Sequence, residues 1–177
     1  MEAQTKKLTL LITSIVTLAV FLFLPITSAS FTMGMELKVI DLITNLGSLF
    51  ESLEYMGDMA GIAILVVVLM LLPLVGAIIA LVGAITQNSN QVKNGSRTGI
   101  GGLIALYAAL VVSAFILGSE MASAYGASIG IGEIFQLLVE ALKAFGLAYW
   151  LSLAGFIVML VVSGKPVNTN QNTYTNV

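Results

Sequence analysis

Sulfur and carboxylate are the side-chain chemistries that this sequence gathers outside its apolar runs. Met33, Met35, Met56 and Met59, joined by Met121, fall near the ends of those runs at spacings of two and three. Thioethers are soft ligands that favour Cu(I), and residues three apart on a helix share a face, so a copper site could be built without imidazole or thiolate. The plainer account is that methionine fills irregular gaps between helices. Two acidic pairs, Glu51 with Glu54 and Glu133 with Glu140, are the only candidates for acid–base work. That work needs a carboxyl sheltered enough to titrate near neutral pH, whereas all four sit on polar helix faces and read as a solvated outward acidic face. Gly99, Gly101 and Gly102 form a glycine cluster, but no strand precedes it and no phosphate-binding lysine follows, so it reads as the start of a helix.

The chain has no histidine and no cysteine. It therefore lacks the commonest general base, the usual ligands of zinc and haem, any thiol nucleophile and any disulfide. We expect no catalytic residue, no cofactor, and no metal site beyond the methionine option.

The elements that must position these residues follow from charge. Charged residues are 9% of the sequence and hydrophobic ones 58%, with a mean hydropathy of +1.04, well outside the soluble range. Four long uncharged stretches separate the charges. The sequence predicts an all-α integral membrane protein, a single membrane domain over 1–177 with transmembrane crossings near 8–28, 59–86, 98–119 and 144–164. Between them lie outward segments at 31–58 and 120–143, a cytoplasmic loop at 87–97 and a tail at 166–177. Threaded in order, Lys6, Lys7, Lys93, Arg97 and Lys165 share one side, and every acidic residue except Glu2 the other. The positive-inside rule places this multi-pass chain in the cell membrane with both termini cytoplasmic. Lys6, Lys7, the apolar run to Leu24, and Ser28, Ala29 and Ser30 also fit a signal peptide; cleavage would leave three crossings and an outside N-terminus.

Both outward segments carry amphipathic helices, one after the first crossing and one before the last. Val39, Ile40, Leu42, Ile43, Leu46, Leu49, Phe50, Leu53 and Met56 recur at helical spacing as an amphipathic helix, interrupted at Gly47, while Ser48 and Glu51 have capping-box spacing, so the pattern fits either one rod or two short helices meeting at a bend. Ile134, Leu137, Leu138, Ala141 and Leu142 face a stripe of Glu133, Gln136, Glu140 and Lys143. A parallel repeat would relate Tyr55, Met56, Ala60 and Gly61 to Tyr149, Trp150, Ala154 and Gly155, although the latter aromatics equally suit an interfacial belt.

Helix association is written more plainly than chemistry. Gly76, Ala80 and Ala84 repeat every four residues along the second crossing, and Gly101, Ala105, Ala109 and Ser113 along the third. Small residues let helix backbones approach closely in lipid, either within one bundle or between copies. Pro73 would kink the second crossing or shape its packing.

No ionisable group lies mid-membrane, which disfavours proton relays, coupled carriers and voltage sensors. The formal charge of -2 disfavours nucleic acid. The outline is similar to that of claudin-like tetraspan proteins, whose outward cysteine and tryptophan motifs are absent here; the similarity implies lateral assembly and nothing narrower. The leading expectation is a non-enzymatic structural or accessory subunit of a homo-oligomer or larger membrane complex, with the lipid bilayer and membrane subunits as partners. The alternative is an oligomeric channel with an acidic outward mouth, and a minor one is Met-based Cu(I) handling.

Overall fold

A computed structural model describes residues 1–27, 37–53, 57, 60–124 and 130–166 of the chain. Among these residues seven helices form and no strand: α1 (Ala3–Phe23), α2 (Val39–Thr44), α3 (Leu46–Leu53), α4 (Ala60–Ile85), α5 (Ser89–Ala124), α6 (Ile131–Ala144) and α7 (Leu147–Gly164). Four of them, α1, α4, α5 and α7, are long and apolar enough to cross a membrane. At 1.5 Å per residue the 21 residues of α1 extend about 31 Å, close to the thickness of a hydrocarbon core.

These four helices form a ring. α1 packs against α4 and α7, and α5 packs against α4 and α7, with the α4–α5 pair the most extensive. Each helix buries one stripe and exposes the rest of its apolar surface. On α1 the buried stripe is Lys6, Leu10, Ser14, Thr17 and Phe21, at steps of three and four that keep it on one face. The opposite surfaces are large and apolar: Ile12, Val16 and Phe23 on α1, Leu65, Val68, Val75 and Ile85 on α4, Ile157 and Val161 on α7. A surface this continuously apolar suits hydrocarbon rather than water. The interior is filled, with Phe21, Phe156, Leu103, Leu106 and Met159 all at 0% exposure.

The bundle has a basic end and an acidic end. Lys6 and Lys7 open α1, Lys93 and Arg97 lie in the first turns of α5, and Lys165 follows α7. Asp41, Glu51, Glu133 and Glu140 are exposed on α2, α3 and α6 at the other end.

Three boundaries depart from the sequence reading. The segment expected as a loop at 87–97 is helical from Ser89, leaving Thr86–Asn88 as the whole α4–α5 connection. Polarity misled here: Asn88, Asn90, Gln91 and Asn94 look like loop residues, but Asn88 is an N-cap whose Oδ1 accepts from the Asn90 and Gln91 amides, both at 3.1 Å. The first helix starts and ends earlier than 8–28, because Pro25 closes it and Lys6 and Lys7 belong to its first turns. The third crossing is the middle of a 36-residue helix, which extends past 98–119 at both ends. The expected bend between two short outward helices occurs at Asn45, between α2 and α3, two residues before Gly47. α4 runs unbroken through Pro73.

Pro25, Ile26 and Thr27 run extended at the acidic end. The Ile26 amide donates to the Leu37 carbonyl at 2.8 Å, and the Gly146 and Ala148 amides donate to the Ile26 and Pro25 carbonyls at 2.5 and 3.1 Å. The chain leaving α1 thereby satisfies amides at the start of α7 that no side chain caps.

Candidate functional site

Packing is the property that the small residues of α4 and α5 deliver. A methyl group built on Gly76 would lie 2.5 Å from the Gly99 amide nitrogen and 2.7 Å from the Gly95 carbonyl oxygen. One built on Gly83 would lie 2.7 Å from the Val92 nitrogen, and one on Gly102 would lie 2.8 Å from both Leu72 Cβ and Pro73 Cδ. Ala80 faces Gly95 just as closely and Ala84 is buried beside Gly83. Gly76 and Ala80 of that ridge thus lie against Gly95 and Gly99 of α5 within one copy, while Gly83 meets Val92 and Gly102 meets Leu72 and Pro73.

Gly95 and Gly99 were missed because they fell across the supposed loop boundary. Their spacing of four on a helix was the signal available. Gly99 serves a second contact, since the Phe156 ring of α7 occupies the space its Cβ would take. Gly155 in turn makes room for Thr17 of α1.

The ridge on α5 points elsewhere. Gly101 is exposed with nothing within 4 Å of its Cβ position. Ala108 is exposed too, while Ala105, Ala109 and Ser113 are half-buried as the four-residue repeat rotates around the helix.

The acidic residues make local bonds. Glu133 Oε2 accepts from the Gly130 amide at 2.8 Å and caps α6. Glu140 pairs with Lys143 at 2.7 Å, with both side chains about half exposed or more, an arrangement of small energetic consequence. Glu51 is exposed on α3. No group of three or more histidine, cysteine, aspartate or glutamate side chains that could hold a metal occurs among the described residues. Glu54 and the copper candidates Met33, Met35, Met56 and Met59 lie outside the described residues, as does the side chain of Met121.

α6 lies against α5, and the Tyr107 hydroxyl donates to the Leu138 carbonyl at 3.1 Å. Tyr149 is not the interfacial residue expected. It is buried, stacks on Phe145 at 4.0 Å and donates from its hydroxyl to the Leu103 carbonyl at 3.2 Å. Trp150, edge-on to it at 5.1 Å, is exposed. The repeat does not carry into the fold: Gly155 lies in the α1 contact midway along α7, whereas Gly61 is open at the start of α4.

Comparison with protein-family models, curated proteins and solved structures finds no match.

At the basic end, Lys6 is 8% exposed, and its Nζ donates to the Ser163 and Lys165 carbonyls at 3.1 and 2.6 Å. These are carbonyls at the end of α7, where the helix dipole favours a cation. Beside Lys6 a cleft of about 110 Å3 opens between α1 and the α4–α5 turn.

Proposed function

We propose that the chain is a non-enzymatic multi-pass membrane protein that acts as a structural subunit, assembling with copies of itself or a larger membrane complex through the outer face of α5. One observation carries this reading. The small residues divide into two sets, one consumed in the α4–α5 contact and another, Gly101 and Ala108 with the half-buried Ala105 between them, left open on α5. In lipid a small-residue face gains from close backbone approach, whereas contact with acyl chains gives it no comparable packing. The apolar exterior and the placement of Lys6, Lys7, Lys93, Arg97 and Lys165 at one end, against Lys38 and Lys143 at the other, support insertion with the first end in the cytoplasm.

Support for an enzyme is lacking in the same residues that suggested one. Two of the four carboxylates are engaged in a cap and a surface pair, and a third is solvated. A pore through one copy finds no support either, because the centre of the ring is occupied by buried side chains.

Native mass measurement after mild-detergent extraction tests the proposal. The wild-type chain is expected as an oligomer or in stoichiometric company, and Gly101→Leu is expected to release it as a folded monomer, since the added side chain meets nothing inside its own copy. A wild-type monomer that performs turnover or proton-driven uptake alone would overturn it.

A further inference from the structure

We propose that the cleft at the basic end binds the phosphate headgroup of an anionic phospholipid. Its walls bring together the start of α1, the end of α4 and the start of α5, with Lys6, Lys7, Leu10, Ala84, Gln87 and Ser89 among the lining residues. No acidic side chain lines it.

Lys6 makes the case. It is buried, and among the described residues its ammonium is met by two backbone carbonyls, which use two of its three hydrogens. The one ion pair among the described residues is Glu140 with Lys143, at the opposite end. Carbonyl dipoles orient an ammonium without cancelling its charge, and a buried charge without a counterion is costly. An anion in the cleft supplies a countercharge, with Lys7 adding a second positive charge and the polar residues Gln87 and Ser89 among the lining.

The remaining walls decide between a lipid and a free ion. Ala3, Leu10, Gly83 and Ala84 make half of the cleft apolar, which suits the glycerol and upper acyl carbons of an amphiphile and offers nothing to inorganic phosphate. The cleft also lies where spanning helices begin and end, at headgroup depth, on the end whose basic residues outnumber its single acid, Glu2. Basic pockets between helices on the cytoplasmic side recognise anionic headgroups by this chemistry. Gln87 adds a second observation: it has a φ of 58°, a left-handed conformation that glycine adopts at far less cost, yet a polar residue lines the cleft at this position.

The test uses the full chain in detergent, with phosphatidylglycerol, phosphatidylcholine and inorganic phosphate as probes and native mass spectrometry as readout. One phosphatidylglycerol per chain is expected to be retained in preference to phosphatidylcholine, and excess phosphate is expected not to displace it. Lys6→Gln risks the α7 contact, so Lys7→Gln is the informative variant: it should weaken retention about fivefold, the effect of one near-surface cation. Arg97→Gln, which removes a charge from the same end but outside the cleft, should leave retention unchanged. Equal retention of the two lipids, displacement by phosphate, or equal effects of Lys7→Gln and Arg97→Gln would each overturn the assignment. The site lies apart from the outer face of α5, so Gly101→Leu should leave lipid retention intact whether or not it changes assembly.

Discussion

Lys6 of α1 and Ser163 of α7, 157 positions apart in sequence, are joined by a 3.1 Å hydrogen bond from the lysine ammonium to the serine carbonyl. The bond ties the first turn of the bundle to the last. Its stem crosses the α1–α7 seam while its head reaches the helix end, the usual way a long cation serves an interface. Lys6→Met keeps the stem and removes the charge-assisted bonds, so it should destabilise the bundle by about 1.5–3 kcal/mol. Lys7→Met, on the exposed side of the same turn, should change stability by less than about 0.5 kcal/mol. Thermal unfolding in detergent measures both, and equal shifts would remove Lys6 from any clamping role.

Glycines of α5 separate into closed and open positions, and alanine reports which is which. At Gly95 the added methyl collides with the backbone of α4, and at Gly99 with the Phe156 ring, so each substitution should cost about 1–3 kcal/mol by overpacking. Gly101 is open, and Gly101→Ala should stabilise the folded copy by up to about 1 kcal/mol through helix propensity alone. Unfolding curves that rank Gly101→Ala with the other two would contradict the α4–α5 register described here.

The contrast shows what the sequence could carry. Helix number, helix type and the two charged ends were legible, because lipid-length apolar runs and charge sorting need no knowledge of partners. The break between α2 and α3 was legible to within two residues. Which small residues face inward was not legible, since a four-residue ridge drifts around a helix, and inward or outward is decided by where neighbouring helices lie. Lys6 escaped notice for a related reason. A lysine before an apolar run signals topology in every such sequence, and only the return of α7 to its side makes it a structural bond. The α4–α5 turn was hidden by asparagines that serve a cap and by a glutamine where glycine is the common choice.

That turn yields a prediction in both directions. The Asn88 amide bonds the Gly83 carbonyl at 2.8 Å and the Gln87 amide bonds the Ala84 carbonyl at 3.4 Å, closing α4 with Gln87 in the left-handed region. Gln87→Gly should relieve that conformation and stabilise the fold by a few tenths to about 1 kcal/mol. Asn88→Ala removes the cap of α5 and should cost about 1 kcal/mol. Melting temperatures moving in opposite directions are expected; a loss of stability in Gln87→Gly would show that the glutamine side chain holds the turn.

Two buried serines at the α1–α7 seam should behave differently. Ser14 Oγ donates to the Leu10 carbonyl at 2.7 Å and lies 3.0 Å from Met159 Sδ, whereas Ser152 Oγ is buried with no hydrogen-bond partner among the described residues. An unpaired buried hydroxyl is a cost to the folded state, so Ser152→Ala should be neutral or stabilising by about 1 kcal/mol. Ser14→Ala gives up its bonds and should cost about 0.5–1.5 kcal/mol. A clear destabilisation by Ser152→Ala, read from the same unfolding assay, would mean that this hydroxyl has found a partner in the assembled protein.

The absence of cysteine makes the orientation of the whole bundle measurable without background. Ser48 on α3, Asn90 on α5 and Gln136 on α6 are exposed, the first and last at the acidic end and Asn90 at the basic end. Single cysteines at these positions in intact cells should divide two to one: a membrane-impermeant thiol reagent should reach Ser48→Cys and Gln136→Cys and miss Asn90→Cys until the membrane is opened. The reason is energetic. Moving the basic end outward would carry Lys6, Lys7, Lys93, Arg97 and Lys165 through hydrocarbon, which the positive-inside bias opposes, while the other end holds only Lys38 and Lys143 among its basic residues and its carboxylates weigh little in that bias. Labelling of Asn90→Cys alone would reverse the orientation and move the proposed lipid site to the outer leaflet. Labelling of all three in sealed cells would mean that the four long helices do not cross a membrane at all.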